Sequence, residues 1–213
     1  KKEKDAPFFL YLPYTIPHSK FEVPEDAPYS DEEWAQPLKN YAAMITRMDS
    51  DIGKIIELLK EEGLDENTIV FFSSDNGPTG QPNKFFNSNA PFKGTKGNLY
   101  EGGLRIPLIA RWPGKIKPET VSDHLSAFWD FLPTACDLAN VETPEKIDGI
   151  SFLPTLLGKN QPEHKYLYWE FFQYNYSWKS GDNPDNRNFL HSQAIRMDNW
   201  KAINTEFHGT NHA

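Results

Sequence analysis

Thr68-Ile69-Val70-Phe71-Phe72-Ser73-Ser74-Asp75-Asn76-Gly77 is the stretch on which the fold turns. Ile69, Val70, Phe71 and Phe72 leave no polar face, which predicts a strand buried on both sides. Gly77 and Pro78 forbid its continuation. Asp75 and Asn76 are thus presented together at the C-terminal tip of a core strand, the edge at which open α/β sheets bind ligands. Neighbouring strand residues point to opposite faces, so both side chains reach one ion only because the strand ends there. A carboxylate and a carboxamide are hard oxygen donors, suited to calcium or magnesium and not to zinc. Asp-Asn-Gly is also an ordinary turn sequence, and the stretch alone leaves a plain strand-end turn open.

A helix is expected before this strand, over about 37–62. Pro37 suits a first helical turn, and Leu38, Tyr41, Ile45, Met48, Ile52, Ile55 and Leu59 step by threes and fours into one apolar stripe. Gly63 is the natural stop. Helix then strand is half of a β-α-β unit, which favours an α/β fold with a mainly parallel sheet. Further upstream, a charged lead-in (1–5) runs into Pro7-Phe8-Phe9-Leu10-Tyr11-Leu12-Pro13, a second expected strand, followed by Tyr14-Thr15-Ile16-Pro17-His18. The acidic stretch 19–36 reads as surface loop. Downstream, 78–92 reads as an irregular excursion bordering a cleft. A Gly-rich, Lys-bearing loop then enters a strand over 106–111, closed by Trp112-Pro113-Gly114.

Beyond that point 121–125 suggests a short strand and 128–139 a helix interrupted early by Pro133. An apolar turn over 152–157 ends at Gly158. From Gln161 the texture changes. An aromatic strand (166–172) leads into a polar loop or lid (177–188), then a hairpin of 193–197 and 200–203 about Asp198-Asn199. The expected division is therefore 1–160 and 161–213, with the chain stopping at Asn211-His212-Ala213 without an evident final element. Aromatics in these strands line a core more often than a sugar cleft.

A length of 213 residues suffices for a full hydrophobic core. A composition 38% hydrophobic and 14% aromatic excludes a disordered chain. The net charge of -8 argues against a nucleic-acid partner and requires local cations for any anionic ligand. The single cysteine, Cys136, excludes an internal disulfide framework. No apolar run is long enough for a membrane span.

Read in order, several segments resemble the sulfatase family of the alkaline-phosphatase superfamily. They are the strand followed by Pro17-His18, Ser74-Asp75-Asn76-Gly77, and Lys96-Gly97-Asn98-Leu99-Tyr100-Glu101-Gly102-Gly103-Leu104-Arg105-Ile106-Pro107. Ile109-Ala110-Arg111-Trp112-Pro113-Gly114, Asp130-Phe131-Leu132-Pro133-Thr134 and Asp148-Gly149-Ile150-Ser151-Phe152-Leu153-Pro154 complete the set. The resemblance implies the later part of a mainly parallel alkaline-phosphatase-like sheet with helices over 1–160. The start of a small antiparallel C-terminal subdomain would follow over 161–213. It also implies a calcium-dependent, arylsulfatase-type hydrolase of aryl or carbohydrate sulfates, with a sulfated small molecule or glycan as substrate. Export to the periplasm or the outside is implied by the resemblance alone.

By the same matches, Asp75 and Asn76 fall on the family's second pair of calcium ligands and Lys96 on its sulfate-contacting lysine. His18 falls on a histidine near the sulfate, where a group titrating near neutrality can protonate the leaving oxygen. Lys93 is the rival of Lys96, but the register to Tyr100-Glu101-Gly102-Gly103 favours Lys96. Glu101 and Arg105 suggest an internal ion pair, and Gly102 and Gly103 a close backbone approach. His124 and His191 lack comparable support.

The family's Cys-x-Pro-Ser-Arg motif, whose cysteine becomes the formylglycine nucleophile, has no counterpart here. Cys136 stands in Thr134-Ala135-Cys136-Asp137 and lies after the Asp-Asn tip instead of before it. No N-terminal Asp-Asp follows an apolar strand either. The resemblance is then to the later portion of a sulfatase, completed by a missing N-terminal half, with a calcium half-site and no turnover by itself. Two other readings stand beside it. One is a phosphodiesterase or phosphonate hydrolase of the same superfamily; the other is a non-catalytic module that binds sulfated glycans.

Overall fold

The structure is a computed structural model that describes residues 6–174 and 189–208. The lead-in 1–5, the expected loop at 177–188 and the end at 211–213 lie outside the described residues. Two compact units divide the chain, residues 1–63 and 64–213. The division expected at residue 160 falls inside the second of them.

The first unit is built on α1, Gln36–Glu61, within a residue of the expected helix at each end. Ala35 is extended, Pro37 occupies the first turn, and Gly63 closes the C-terminus with φ 68° and its N–H on the Lys60 carbonyl at 3.0 Å. Leu38, Tyr41, Ala43 and Met44 are buried. The acidic loop before α1 is bonded to it: Asn40 Nδ2 donates to the Phe21 carbonyl (2.8 Å), and Lys39 Nζ to the Ser30 carbonyl (2.6 Å). The Phe21 ring meets Tyr41 edge-on at 5.2 Å. The strand expected at 7–13 forms no ladder. Its backbone is extended, but Phe9 and Tyr11 are about three-quarters exposed (76% and 74%). A strand exists by pairing its peptide groups with a neighbour, and no described strand lies against this one.

The second unit opens with a 3₁₀ turn, Asp65–Asn67, and β1, Val70–Ser73, the strand anticipated around the Asp-Asn tip. β1 is half-buried and not fully covered. Helix α2, Gly80–Phe86, follows and ends at Asn87 in the left-handed region, where an irregular excursion had been expected. Its seven residues are too few for an apolar period to register. A short helix, α3 (Glu101–Leu104), leads into β2, Leu108–Arg111. β1 and β2 pair antiparallel, Val70 with Arg111 and Ser73 with Leu108. Parallel pairs are not among the described ladders, and this antiparallel pair is the whole of the described first sheet. Arg111 holds the 3₁₀ turn with both guanidinium nitrogens on the Asp65 carboxylate (2.6 and 2.9 Å), and Trp112 Nε1 donates to the Glu66 carbonyl.

Helix α4, Phe131–Ala139, begins after a 3₁₀ turn (Phe128–Asp130) and places Pro133 in its first turn, where no helical N–H is needed. Asp130 is fully buried. Its carboxylate accepts from the N–H groups of Ala127 (2.7 Å) and Ile150 (2.8 Å) and lies 2.8 Å from His164 Nε2. Thr134, also fully buried, donates to the Asp130 carbonyl (2.7 Å) and accepts from the Phe152 N–H (3.0 Å). Phe152 precedes α5, Leu153–Leu156, and its ring stands edge-on to Phe71 of β1. No strand forms at 121–125; Val121 is 94% exposed, and the His124 N–H is bonded locally to Ser122 Oγ. Only Val121 and Leu125 of that stretch are apolar, and no described neighbour offers it a ladder.

The C-terminal sheet is antiparallel in the order β3 (Leu167–Tyr174), β4 (Phe189–Met197), β5 (Trp200–His208). The expected hairpin is present and its strands are longer than anticipated, with Asp198 at φ 50° in the turn. Leu167, Ser192 and Ala194 form its buried face. Helices, the first strand pair and this sheet make the class α/β with a small antiparallel sheet at the C-terminal end.

One contact positions the tip of β1. The Gly77 N–H donates to the Gly103 carbonyl (3.0 Å), and a methyl group at Gly77 would strike the Gly102 carbonyl. Gly77→Ala should therefore lower stability by about 3 kcal/mol, the scale of an overpacked buried site, measured as the shift in urea midpoint. Asp130→Asn places an amide N–H₂ against N–H donors, and its melting temperature should fall by the equivalent of about 3 kcal/mol.

Candidate functional site around the Asp75–Asn76 tip and the Lys96 loop

The C-terminal end of β1 is fixed before any ligand is considered. Ser73 Oγ donates to the Pro107 carbonyl (2.9 Å), and Ser74 Oγ to the Asn76 carbonyl (3.0 Å). Asn76 Nδ2 donates to the Gly77 carbonyl (2.9 Å), which engages the amide nitrogen and leaves its Oδ1 as an acceptor. Asp75 is exposed, and nothing among the described residues bonds to its carboxylate. The tip thus offers a carboxylate and an amide oxygen side by side in sequence. That donor set fits a hard cation. It is a partial set, since two side chains supply about three of the roughly six to eight oxygens calcium takes. Among the described residues no cluster of three or more His, Cys, Asp or Glu side chains completes it.

The Lys96 loop is tied to this tip through main chain. The Lys96 N–H donates to the Pro78 carbonyl at 2.9 Å, alongside the Gly77 to Gly103 bond. The Gly102 N–H donates to the Lys93 carbonyl (2.8 Å), and Gly102 and Gly103 have no room for a side chain, as their sequence suggested. Asn89 Nδ2 bonds the carbonyls of Phe92 and Gly94, and Asn98 Oδ1 accepts the Thr95 N–H at 3.0 Å. These two asparagines shape the loop, and nothing in their surroundings in sequence distinguished them. Lys96 is exposed. Lys93 instead lies over the Tyr100 ring, 4.1 Å from its centroid, in a structural cation–π contact.

Asp75, Asn76 and Lys96 therefore belong to one hydrogen-bonded assembly of loops. His18 belongs to the first unit, exposed after Pro17, with Nδ1 3.2 Å from Ser19 Oγ. The Glu101–Arg105 ion pair is present at 3.8 Å but is not the main contact of Glu101. Its oxygens accept from Arg196 (2.9 Å) and Lys201 (2.8 Å), partners nearly a hundred residues away that local spacing cannot signal. His191 bonds Glu170 (2.6 Å) and stacks on Phe172 in the C-terminal sheet. His124 is part-buried, its Nε2 finds no partner among the described residues, and burial holds its pKa below the usual histidine value. Cys136 is buried and free, in helix α4.

The family model described as Sulfatase matches residues 1–141, and that described as N-sulphoglucosamine sulphohydrolase, C-terminal, matches 95–207. The uncharacterized sulfatase YdeN of Escherichia coli (strain K12) is 38% identical over 177 residues, 79% of this chain and 30% of the relative. N-acetylgalactosamine-6-sulfatase of Mus musculus is 34% identical over 172 residues, 78% of this chain and 32% of the relative. The solved structure of Ps i-CgsB superposes with TM-score 0.70 at 27% identity, covering 95% of this chain and 43% of that one. The same protein has been solved in complex with k-i-k-neocarrahexaose, with TM-score 0.68 and 25% identity over 95% of this chain and 44% of that one. The chain spans about 30% of the length of the curated relatives it matches. With the first family model covering well over half of its residues, the chain belongs to the sulfatase family.

Proposed function

We propose that these residues belong to a calcium-dependent, arylsulfatase-type hydrolase of sulfate esters, carrying the cation-binding tip and one sulfate-binding loop. The observation that supports this most directly is the pair of main-chain bonds, Lys96 to Pro78 and Gly77 to Gly103, that joins the Lys96 loop to the Asp75–Asn76 tip. A cation site and an ammonium group are then held by one framework, as a doubly anionic transition state requires. The chain as a whole is acidic, with net charge -8, so sulfate attraction has to come from such local groups.

In this reading Asp75 and Asn76 Oδ1 would hold calcium, which would supply positive charge beside the sulfate oxygens. The formylglycine that the family uses as nucleophile would be supplied by residues outside this chain, and the 213 residues alone are inactive. Lys96 directs its ammonium to the sulfuryl oxygens and stabilises charge as the S–O bond breaks. His18 donates a proton to the departing alcohol oxygen. The substrate is a sulfated carbohydrate or aryl alcohol, the class suggested by the names of relatives such as N-acetylgalactosamine-6-sulfatase.

Steady-state kinetics on the full-length enzyme tests the loop assignment. Lys96→Ala should lower turnover on the order of a hundredfold, the usual cost of removing one preorganised charge contact. Lys93→Ala should leave it nearly normal, because the Lys93 ammonium is engaged with Tyr100. The reverse pattern would put the loop out of register. Calorimetric titration tests the metal assignment: Asp75→Ala should weaken calcium binding more than Asn76→Ala, since it removes a full charge and not a dipole. Unchanged affinity in Asp75→Ala would remove the assignment.

A further inference from the structure

Glu101 opens helix α3 directly between the Lys96 loop and β2. Its carboxylate sits between two cations of the C-terminal sheet, Oε2 on Arg196 Nη1 at 2.9 Å and Oε1 on Lys201 Nζ at 2.8 Å. Arg196 and Lys201 are register partners across β4 and β5, so their side chains leave the hairpin on the same face beside its turn. All three groups are largely covered, with side-chain exposures of 26%, 20% and 14% for Glu101, Arg196 and Lys201. Two neighbouring cations repel, and a carboxylate between them offsets that repulsion, so the three charges form one unit. Each carboxylate oxygen of Glu101 is thus engaged by a cation from the C-terminal sheet.

The residues that follow Glu101 are those that hold the tip. Gly102 donates to the Lys93 carbonyl, and the Gly103 carbonyl accepts from Gly77. Pro78, next to Gly77, accepts from Lys96. Sequence position and hydrogen bonds thus connect Arg196 and Lys201, through Glu101, to the two elements of the site. We propose that Glu101 is a positioning residue: clamped by Arg196 and Lys201, it makes the C-terminal hairpin part of the framework that sets the Lys96 loop against the Asp75–Asn76 tip. The inference rests on the proposed sulfate site for its functional meaning, and on the ion pairs for its mechanical content.

Amide hydrogen exchange on the 213-residue chain tests the mechanical part. In Glu101→Gln, and independently in Arg196→Met/Lys201→Met, the amides of Gly77, Lys96 and Gly102 should exchange on the order of tenfold faster, while those of β1 and β2 keep their protection. The double variant leaves Glu101 itself intact, so agreement between the two assigns the effect to the clamp. Faster exchange confined to the β4–β5 hairpin would overturn the proposal and reduce Glu101 to a tether of the sheet. In the full-length enzyme, Glu101→Gln should lower kcat more than it alters KM, with Glu101→Asp recovering part of the loss. Normal kcat in Glu101→Gln would likewise overturn the functional part. If Lys96→Ala also left turnover intact, the sulfate-site reading would fail while the exchange result still stood.

Discussion

Close approach of peptide groups at Gly77, Gly102 and Gly103 is the constraint from which the candidate site follows. A side chain at any of the three would collide with a neighbouring main-chain carbonyl, so the loops meet backbone to backbone. That contact satisfies peptide groups that side-chain packing would leave without partners. It also makes the tip of β1 and the Lys96 loop a single object held by main-chain bonds. Precision then comes from peptide geometry, which sets where the exposed Asp75 and Lys96 side chains start.

Two carboxylates elsewhere in the second unit carry charge by opposite means. Asp130 is fully buried and stabilised by two N–H donors with His164 beside it, so it ties together the segments before α4, before α5 and before β3. Glu101 is partly exposed and meets full cations. Removing a partner from either leaves an uncompensated charge, a larger cost than the net value of the intact contacts. These groups are better understood as specifying which segments meet than as reservoirs of stability.

Much of this was legible in the residue order. The seven-member apolar stripe of α1, the β-branched and aromatic run of β1, and the Asp198-Asn199 turn of the last hairpin each carry a local period or turn signal. The glycine pair after Glu101 announced a close approach, and the structure has one there. At 7–13 apolar content without a partner misled, and the short stretch 121–125, with three polar residues of five, likewise has no described ladder. Helix α2 was too short to show a period. The three-residue charge clamp spans nearly a hundred positions, and only folding brings it together. Asp75, Asn76 and Lys96 were found by motif; the main-chain bonds that join them are invisible in side-chain identity.

The part-buried imidazole of His124 links folding to proton uptake. Burial lowers its pKa from the ordinary value of 6.5; Asp130 and Glu163 pull it upward, and His164 adds to the lowering. The folded chain therefore binds a proton at this ring less readily than the unfolded chain does. Above the unfolded value, near 6.5, both states are neutral and the site contributes its full stability. As pH falls through that value, unfolding becomes coupled to protonation and that contribution drains away until the folded ring also titrates. A moderately acidic solution would thus bear on the stability of the second unit through this one imidazole, in the segment between β2 and α4.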